Sequence, residues 1–229
     1  MRTIGMLGGM SWESTAEYYR LANTAVRERL GGVHSARVLV DSVDFADIET
    51  LQAAGRWEEA GRFLAARARA LEGAGADLLV LCTNTMHEVI DAVEQAVAIP
   101  VLHIADAAAQ AISDDGVTRV GLLGTRFTME RPFYRERLAA RGIEVLVPED
   151  ADRRTVHDVI YDELVRGIVS AGSREAYRDV IRRLEARGAQ GIVLGCTEIE
   201  LLVGPTDSTV PVYPTTALHV QAAVRLALG

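Results

Sequence analysis

Three short segments of this 229-residue chain recur, in the same order, about half a chain length downstream. Thr3-Ile-Gly-Met-Leu-Gly-Gly9 is answered by Arg119-Val-Gly-Leu-Leu-Gly-Thr125, and Leu79-Val-Leu-Cys-Thr-Asn84 by Val193-Leu-Gly-Cys-Thr-Glu198. Ile99-Pro-Val-Leu-His103 is answered by Val210-Pro-Val-Tyr-Pro214, and each of these precedes an Ala-rich helical pattern. The offsets are 116, 114 and 111 residues (3 to 119, 79 to 193, 99 to 210), so order is kept with small deletions. Two copies of one unit of roughly 100 to 110 residues, a common domain size, explain this better than chance. The boundaries expected are residues 1–104 plus 214–229 for the first half and 105–213 for the second.

The secondary-structure pattern sets the fold class. Apolar, β-branched runs at Thr3–Leu7, Ala36–Ser42, Leu78–Cys82, Val101–His103, Arg119–Leu123, Glu144–Val147, Ile192–Gly195 and Val210–Tyr213 read as strands. Helix-period stretches such as Ser14–Leu30, Arg56–Ala74 and Arg174–Arg187 lie between them. Continuous apolar strands alternating with helices predict parallel sheets covered by helices. The expectation is an α/β protein of two similar Rossmann-like domains related by a pseudo-two-fold. Ligands of such sheets bind beyond the carboxyl ends of the strands, so the active site is expected in the cleft between the halves.

Composition removes several functions. All 24 basic residues are arginine. Without lysine there is no amine for a pyridoxal-phosphate Schiff base and no P-loop Gly-Lys-Ser/Thr. The net charge is −8 and no Arg-rich run with interleaved aromatics occurs, so nucleic acid is not an expected partner. No run of 18 apolar residues exists, and Arg2–Leu7 is too short for an export signal, so a cytoplasmic protein without membrane spans is expected. The five histidines show no paired ligand spacing, so no metal is assigned.

Three segments could carry chemistry. Gly8-Gly9-Met10-Ser11 places glycines after a strand and Ser11 at a helix start. It reads either as a tight turn with a cap or as a cradle for a substrate carboxylate. Cys82-Thr83-Asn84-Thr85-Met86-His87 and Gly195-Cys196-Thr197-Glu198 each put small polar groups where a helix follows a strand. A thiol at a helix N-terminus is expected to have a lowered pKa, and the alternative is a buried small hydrophobe. Asn84, Thr85 and Thr197 add neutral donors for a carboxylate or a developing enolate. A lone histidine at a strand end is ordinarily structural, with His87 the candidate exception because it follows the Asn-Thr pair.

These segments, in their order and spacing, resemble the aspartate/glutamate racemase family over almost the whole chain, closest to its broad-specificity amino-acid racemase branch. The resemblance implies two Rossmann-like domains, a homodimer, an amino-acid substrate, no cofactor, and two acid/base residues, one from each half. Most members carry a cysteine immediately before the Asn-Thr pair, where this chain has Thr83. The internal repeat would instead align Cys82 with Cys196. Neighbouring residues at a strand end point to opposite faces, so only one of Cys82 and Thr83 faces the cleft, and the Asn-Thr anchor selects Thr83. Thr83 and Cys196 are thus the expected catalytic pair. Met10, Ser11, Gln52, Asn84, Thr85, Thr125, Thr197 and Glu198 are the expected substrate contacts, with Thr128 a further candidate. Aspartate-specific members carry Arg and Lys where this chain has Ile48 and Val165, which weakens the case for a strictly acidic substrate. Two other readings stay open: a single-cysteine decarboxylase or cis-trans isomerase of the same superfamily, and a non-catalytic carboxylate-binding protein.

Overall fold

The computed structural model describes residues 1–229 and divides them into two compact units, 1–104 with 219–229, and 105–218. The first contains β1 (Ile4–Gly8), α1 (Trp12–Leu30), β2 (Val38–Ser42), α2 (Phe45–Ala53), α3 (Trp57–Gly73), β3 (Leu78–Leu81), α4 (Ile90–Glu94) and β4 (Val101–Leu102). The second contains α5 (Ile104–Asp114), β5 (Arg119–Gly124), α6 (Arg126–Glu130), α7 (Pro132–Ala139), β6 (Glu144–Leu146), α8 (Asp150–Asp162), α9 (Ala171–Ala186), β7 (Ile192–Gly195), α10 (Ile199–Leu202) and β8 (Val212–Pro214). A last helix, α11 (Thr215–Leu228), begins in the second unit and ends in the first. All eight expected strands form, to within one or two residues at each end.

Each unit has its own four-stranded, wholly parallel sheet, in order β2-β1-β3-β4 and β6-β5-β7-β8. The two orders are equivalent strand for strand, so the sequence repeat is a repeat of topology. The central strands β1 and β3 are buried throughout, while β2 and β4 at the edges are partly exposed. Burial on both faces explains why the central strands read as unbroken apolar runs.

Strand periodicity sorts the first core into two layers. Ile4, Met6, Leu78, Val80 and Cys82 pack with Tyr18, Ala22 and Val26 of α1 and with Val220 and Val224 of α11. Leu7, Leu79 and Leu81 point the other way, onto Leu64 and Ala68 of α3 with Ile48 and Met86. In the second unit Leu123, Ile192 and Leu194 pack against Val156 and Ile160 of α8 and Tyr177, Ile181 and Leu184 of α9.

The turn after β1 is fixed by one side chain. Ser11 caps α1 by accepting the Ser14 N–H, at 3.3 Å. One turn on, Thr15 Oγ1 accepts the Gly9 N–H at 2.8 Å and donates to the Ser11 carbonyl at 2.9 Å. Gly9 has φ +87°, and a Cβ there would lie 2.1 Å from the Val43 carbonyl oxygen. Gly9→Ala therefore combines left-handed backbone with a backbone overlap, and should cost about 3 kcal/mol of stability. Urea unfolding midpoints of the two proteins check this, and an unchanged midpoint would contradict it.

Candidate active site

In the first unit the segments leaving β1 and β3 lie side by side, because the Cys82 N–H donates to the Leu7 carbonyl at 2.9 Å. This end of the sheet carries Met10, Ser11, Thr83, Asn84 and Thr85, all largely buried. Gln52, in the last turn of α2, joins them: its Nε2 donates to the Met86 sulfur at 2.9 Å. Met10, Ile48 and Met86 belong to one apolar cluster there. Cys82 shares the face of Leu78 and Val80 and is sealed in the core, where burial drives its thiol far above the ordinary range. Thr83 follows it on the chain and keeps 7% of its surface exposed.

The segment after β1 forms the tight turn with a cap, one of the two readings its sequence allows. The Gly9 amide is taken by Thr15, and Ser11 Oγ serves the cap, so these groups hold the backbone of Met10 in place. His87, the candidate exception among the histidines, is structural. Its Nε2 accepts the Ile104 N–H at 3.2 Å, which leaves Nδ1–H to donate to the Thr83 carbonyl at 2.8 Å. The ring is fully buried, and its pKa lies well below the usual value because burial, then His103 and His219, disfavour the cation. His87 thus ties the Thr83 backbone to the start of α5. A 3-10 turn, Thr85–Val89, rather than an α-helix, follows Asn84.

In the second unit β5 and β7 pair through Gly124 and Gly195, and a Cβ at Gly124 would lie 2.8 Å from the Gly195 carbonyl. This close approach sets the segment after β5, with Thr125, beside Cys196-Thr197-Glu198. Thr125 caps α6, accepting the Thr128 N–H at 3.3 Å. Thr128 is fully buried, with its hydroxyl 3.2 Å from that of Thr125, so it supports Thr125 and offers no surface for a ligand.

Cys196 keeps 6% of its surface exposed, and its Sγ donates to Glu198 Oε2 at 3.0 Å. The same oxygen accepts from Thr197 Oγ1 at 2.7 Å. The lowered thiol pKa expected from sequence is overturned. Burial first, and the adjacent Glu198 carboxylate second, hold the thiol well above its ordinary range. The helix that follows, α10, has only four residues, too short to offset them.

An Asp/Glu/hydantoin racemase family model matches residues 7–223. The chain belongs to that family. Among solved structures, this family member is similar to a Yersinia pestis protein provisionally described as an Asp/Glu racemase, with 54% identity, 100% of both chains covered and a TM-score of 0.94. It is also similar to an aspartate racemase homologue from Pyrococcus horikoshii, with 34% identity, 100% of both chains and a TM-score of 0.87. A broad-specificity amino-acid racemase of Bacillus subtilis is 24% identical over 159 residues, 69% of this chain and 68% of that one.

Sequence reasoning missed two parts of this racemase-family chain. Thr15 carries a recognisable signal, a hydroxyl four residues after the cap. The Tyr18–His219 pair carries none: Tyr18 Oη lies 2.9 Å from His219 Nδ1 across 201 residues of chain. No three His, Cys, Asp or Glu side chains are grouped to hold a metal ion, and no helix is long and apolar enough to cross a membrane.

Proposed function

We propose that this protein is an amino-acid racemase that inverts Cα without pyridoxal phosphate, using Cys196 and Thr83 as the acid/base pair, one from each unit. The observation that carries this reading is the Cys196–Glu198 hydrogen bond, a thiol whose proton already points at a carboxylate. The absence of lysine supports the pyridoxal-free route. A homodimer, which the family resemblance implies, and the cytoplasmic location expected from the sequence accompany the reading.

In the ground state the thiol is protonated and Glu198 is the anion. With substrate bound, the thiol proton passes to Glu198, giving thiolate and carboxylic acid. The thiolate then takes the α-proton, and the carbanion is held as an enolate by neutral donors such as Asn84, Thr85 and Thr197. Thr83 delivers a proton to the opposite face and is reprotonated from water, and Glu198 gives its proton back to the hydroxide that remains, which restores the starting state. In reverse the proton must leave toward a hydroxyl, a far weaker base than a thiolate. Turnover of the enantiomer whose α-proton faces Thr83 should be slower. The equilibrium constant stays at one, so the two kcat/KM values remain equal while kcat and KM differ.

The test is loss of the α-proton NMR signal from amino acids in heavy water without added cofactor. Exchange with racemisation supports the reading, and binding without exchange would leave a carboxylate-binding protein. Glu198→Gln should lower kcat about 10- to 100-fold, the effect of losing a proton acceptor. It should also move the rising limb set by the Cys196 thiol to lower pH, because the anion that raises the thiol pKa is gone. A profile that did not move would remove the role given to Glu198.

A second reading draws on the full burial of Cys82, which leaves Cys196 as the strand-end cysteine that keeps some exposed surface. Single-cysteine decarboxylases and cis-trans isomerases of the superfamily fit that count. Release of carbon dioxide from malonates, or conversion of maleate, would favour them.

A further inference from the structure

We infer that Gln52 selects substrates whose side chains carry an uncharged hydrogen-bond donor, an amide or a hydroxyl, over the matching carboxylate or hydrocarbon. This rests on the reading of the unit 1 strand ends as part of an amino-acid site.

Gln52 has 5% of its surface exposed, and its two amide atoms are in opposite situations. Nε2 donates to the Met86 sulfur, which can only accept. That fixes the amide orientation and leaves Oε1 buried with no hydrogen-bond partner. A buried carbonyl oxygen without a donor is costly, and a donor supplied by a ligand would remove that cost. The surroundings narrow what that is. Met10, Ile48 and Met86 line this corner with apolar surface. Val43, Phe45 and Leu51 pack against the same cluster. An acceptor set in apolar surroundings favours a neutral donor. It penalises a carboxylate through repulsion and desolvation, and a hydrocarbon through the acceptor left unmet.

The experiment measures kcat/KM for α-proton exchange, and Kd by calorimetry, on three near-isosteric pairs: asparagine and aspartate, glutamine and glutamate, serine and 2-aminobutyrate. The donor of at least one pair should be preferred by tenfold or more. In Gln52→Met, which extends the thioether cluster, the ratio should fall to within about twofold of one. Gln52→Glu keeps an acceptor and adds charge. It should hold the preference for donors and raise ornithine relative to glutamine. Parity within every pair for the native protein, which needs no variant to fold, would overturn the inference, as would a preference that survives Gln52→Met. If no amino acid exchanges yet calorimetry shows the donor preference and its loss, the racemase reading fails while the Gln52 assignment stands. Exchange without any preference does the reverse.

Discussion

Cys196→Ser should lose about a thousandfold in α-proton exchange while keeping its fold. Serine is nearly isosteric and its hydroxyl can still donate to Glu198, so packing around the site and the thermal midpoint should hardly change. The chemistry changes a great deal. A thiol titrates near 8.5 in the absence of a protein environment and an aliphatic hydroxyl far higher, so Glu198 cannot generate an alkoxide as it can a thiolate. General-base contributions of 10² to 10⁴ set the scale of the loss. The check is single-substrate exchange in heavy water alongside a melting curve. Exchange within tenfold of native in a folded Cys196→Ser protein would mean that the sulfur is not the base. Cys82→Ser is the control. It puts a hydroxyl in an apolar layer, so it should lower stability and leave the chemistry intact.

The second large effect is acid instability. His219 is fully buried, with Nδ1 accepting from Tyr18 Oη and Nε2–H donating to the Leu102 carbonyl at 3.0 Å. His87 lies against it and against His103, with ring centroids 5.8 and 4.6 Å apart. Burial lowers the His219 pKa to about 4, although its bond to Leu102 pulls the other way. The unfolded chain takes up that proton near pH 6.5, and the folded chain refuses it until about pH 4. The stabilisation is therefore complete above pH 6.5 and drains away as pH falls toward 4, by roughly 3 kcal/mol for His219 alone. His87 is shifted the same way and adds to the loss. Denaturant unfolding across pH 7.5 to 4.5 should show a falling midpoint, with a shallower slope in His219→Gln. A flat profile would mean that these rings take up protons as readily in the folded protein as in the unfolded chain. Below about pH 5.5 the carboxylates Glu175, Glu185 and Asp207, held low in the folded state, add to the fall, so the histidine contribution is read above that point.

The fold was legible because its signals are local or periodic. The apolar runs at Leu78–Leu81 and Ile192–Gly195 are short and unbroken, as buried parallel strands are, and Ser11 and Gly31 punctuate α1 at both ends. Alternation along β3 fixes which neighbour faces the core, and Cys82 follows Leu78 and Val80 into it. The electrostatics of the site were not legible. The thiol's shift depends on a carboxylate two residues away turning back onto it, and on the depth of the apolar layer behind it. The same spacing with Glu198 turned outward would remove the second cause of the rise and leave burial, the first. The fate of Gly9 was hidden for a similar reason: the partner of its amide, Thr15, lies on the next helix turn.

The last helix has a consequence for biosynthesis. Residues 219–229 complete the first unit, with Val220, Ala223, Val224 and Ala227 in its core and the Ala227 carbonyl accepting the Arg2 N–H at 2.8 Å. Residues 105–218, by contrast, are continuous. On the ribosome the segment made first must wait with an open apolar layer until residues 219–229 have been made, while the segment made second has its whole sheet available sooner. Folding order should therefore run against the order of synthesis, and trimming the carboxyl terminus should damage the amino-terminal unit.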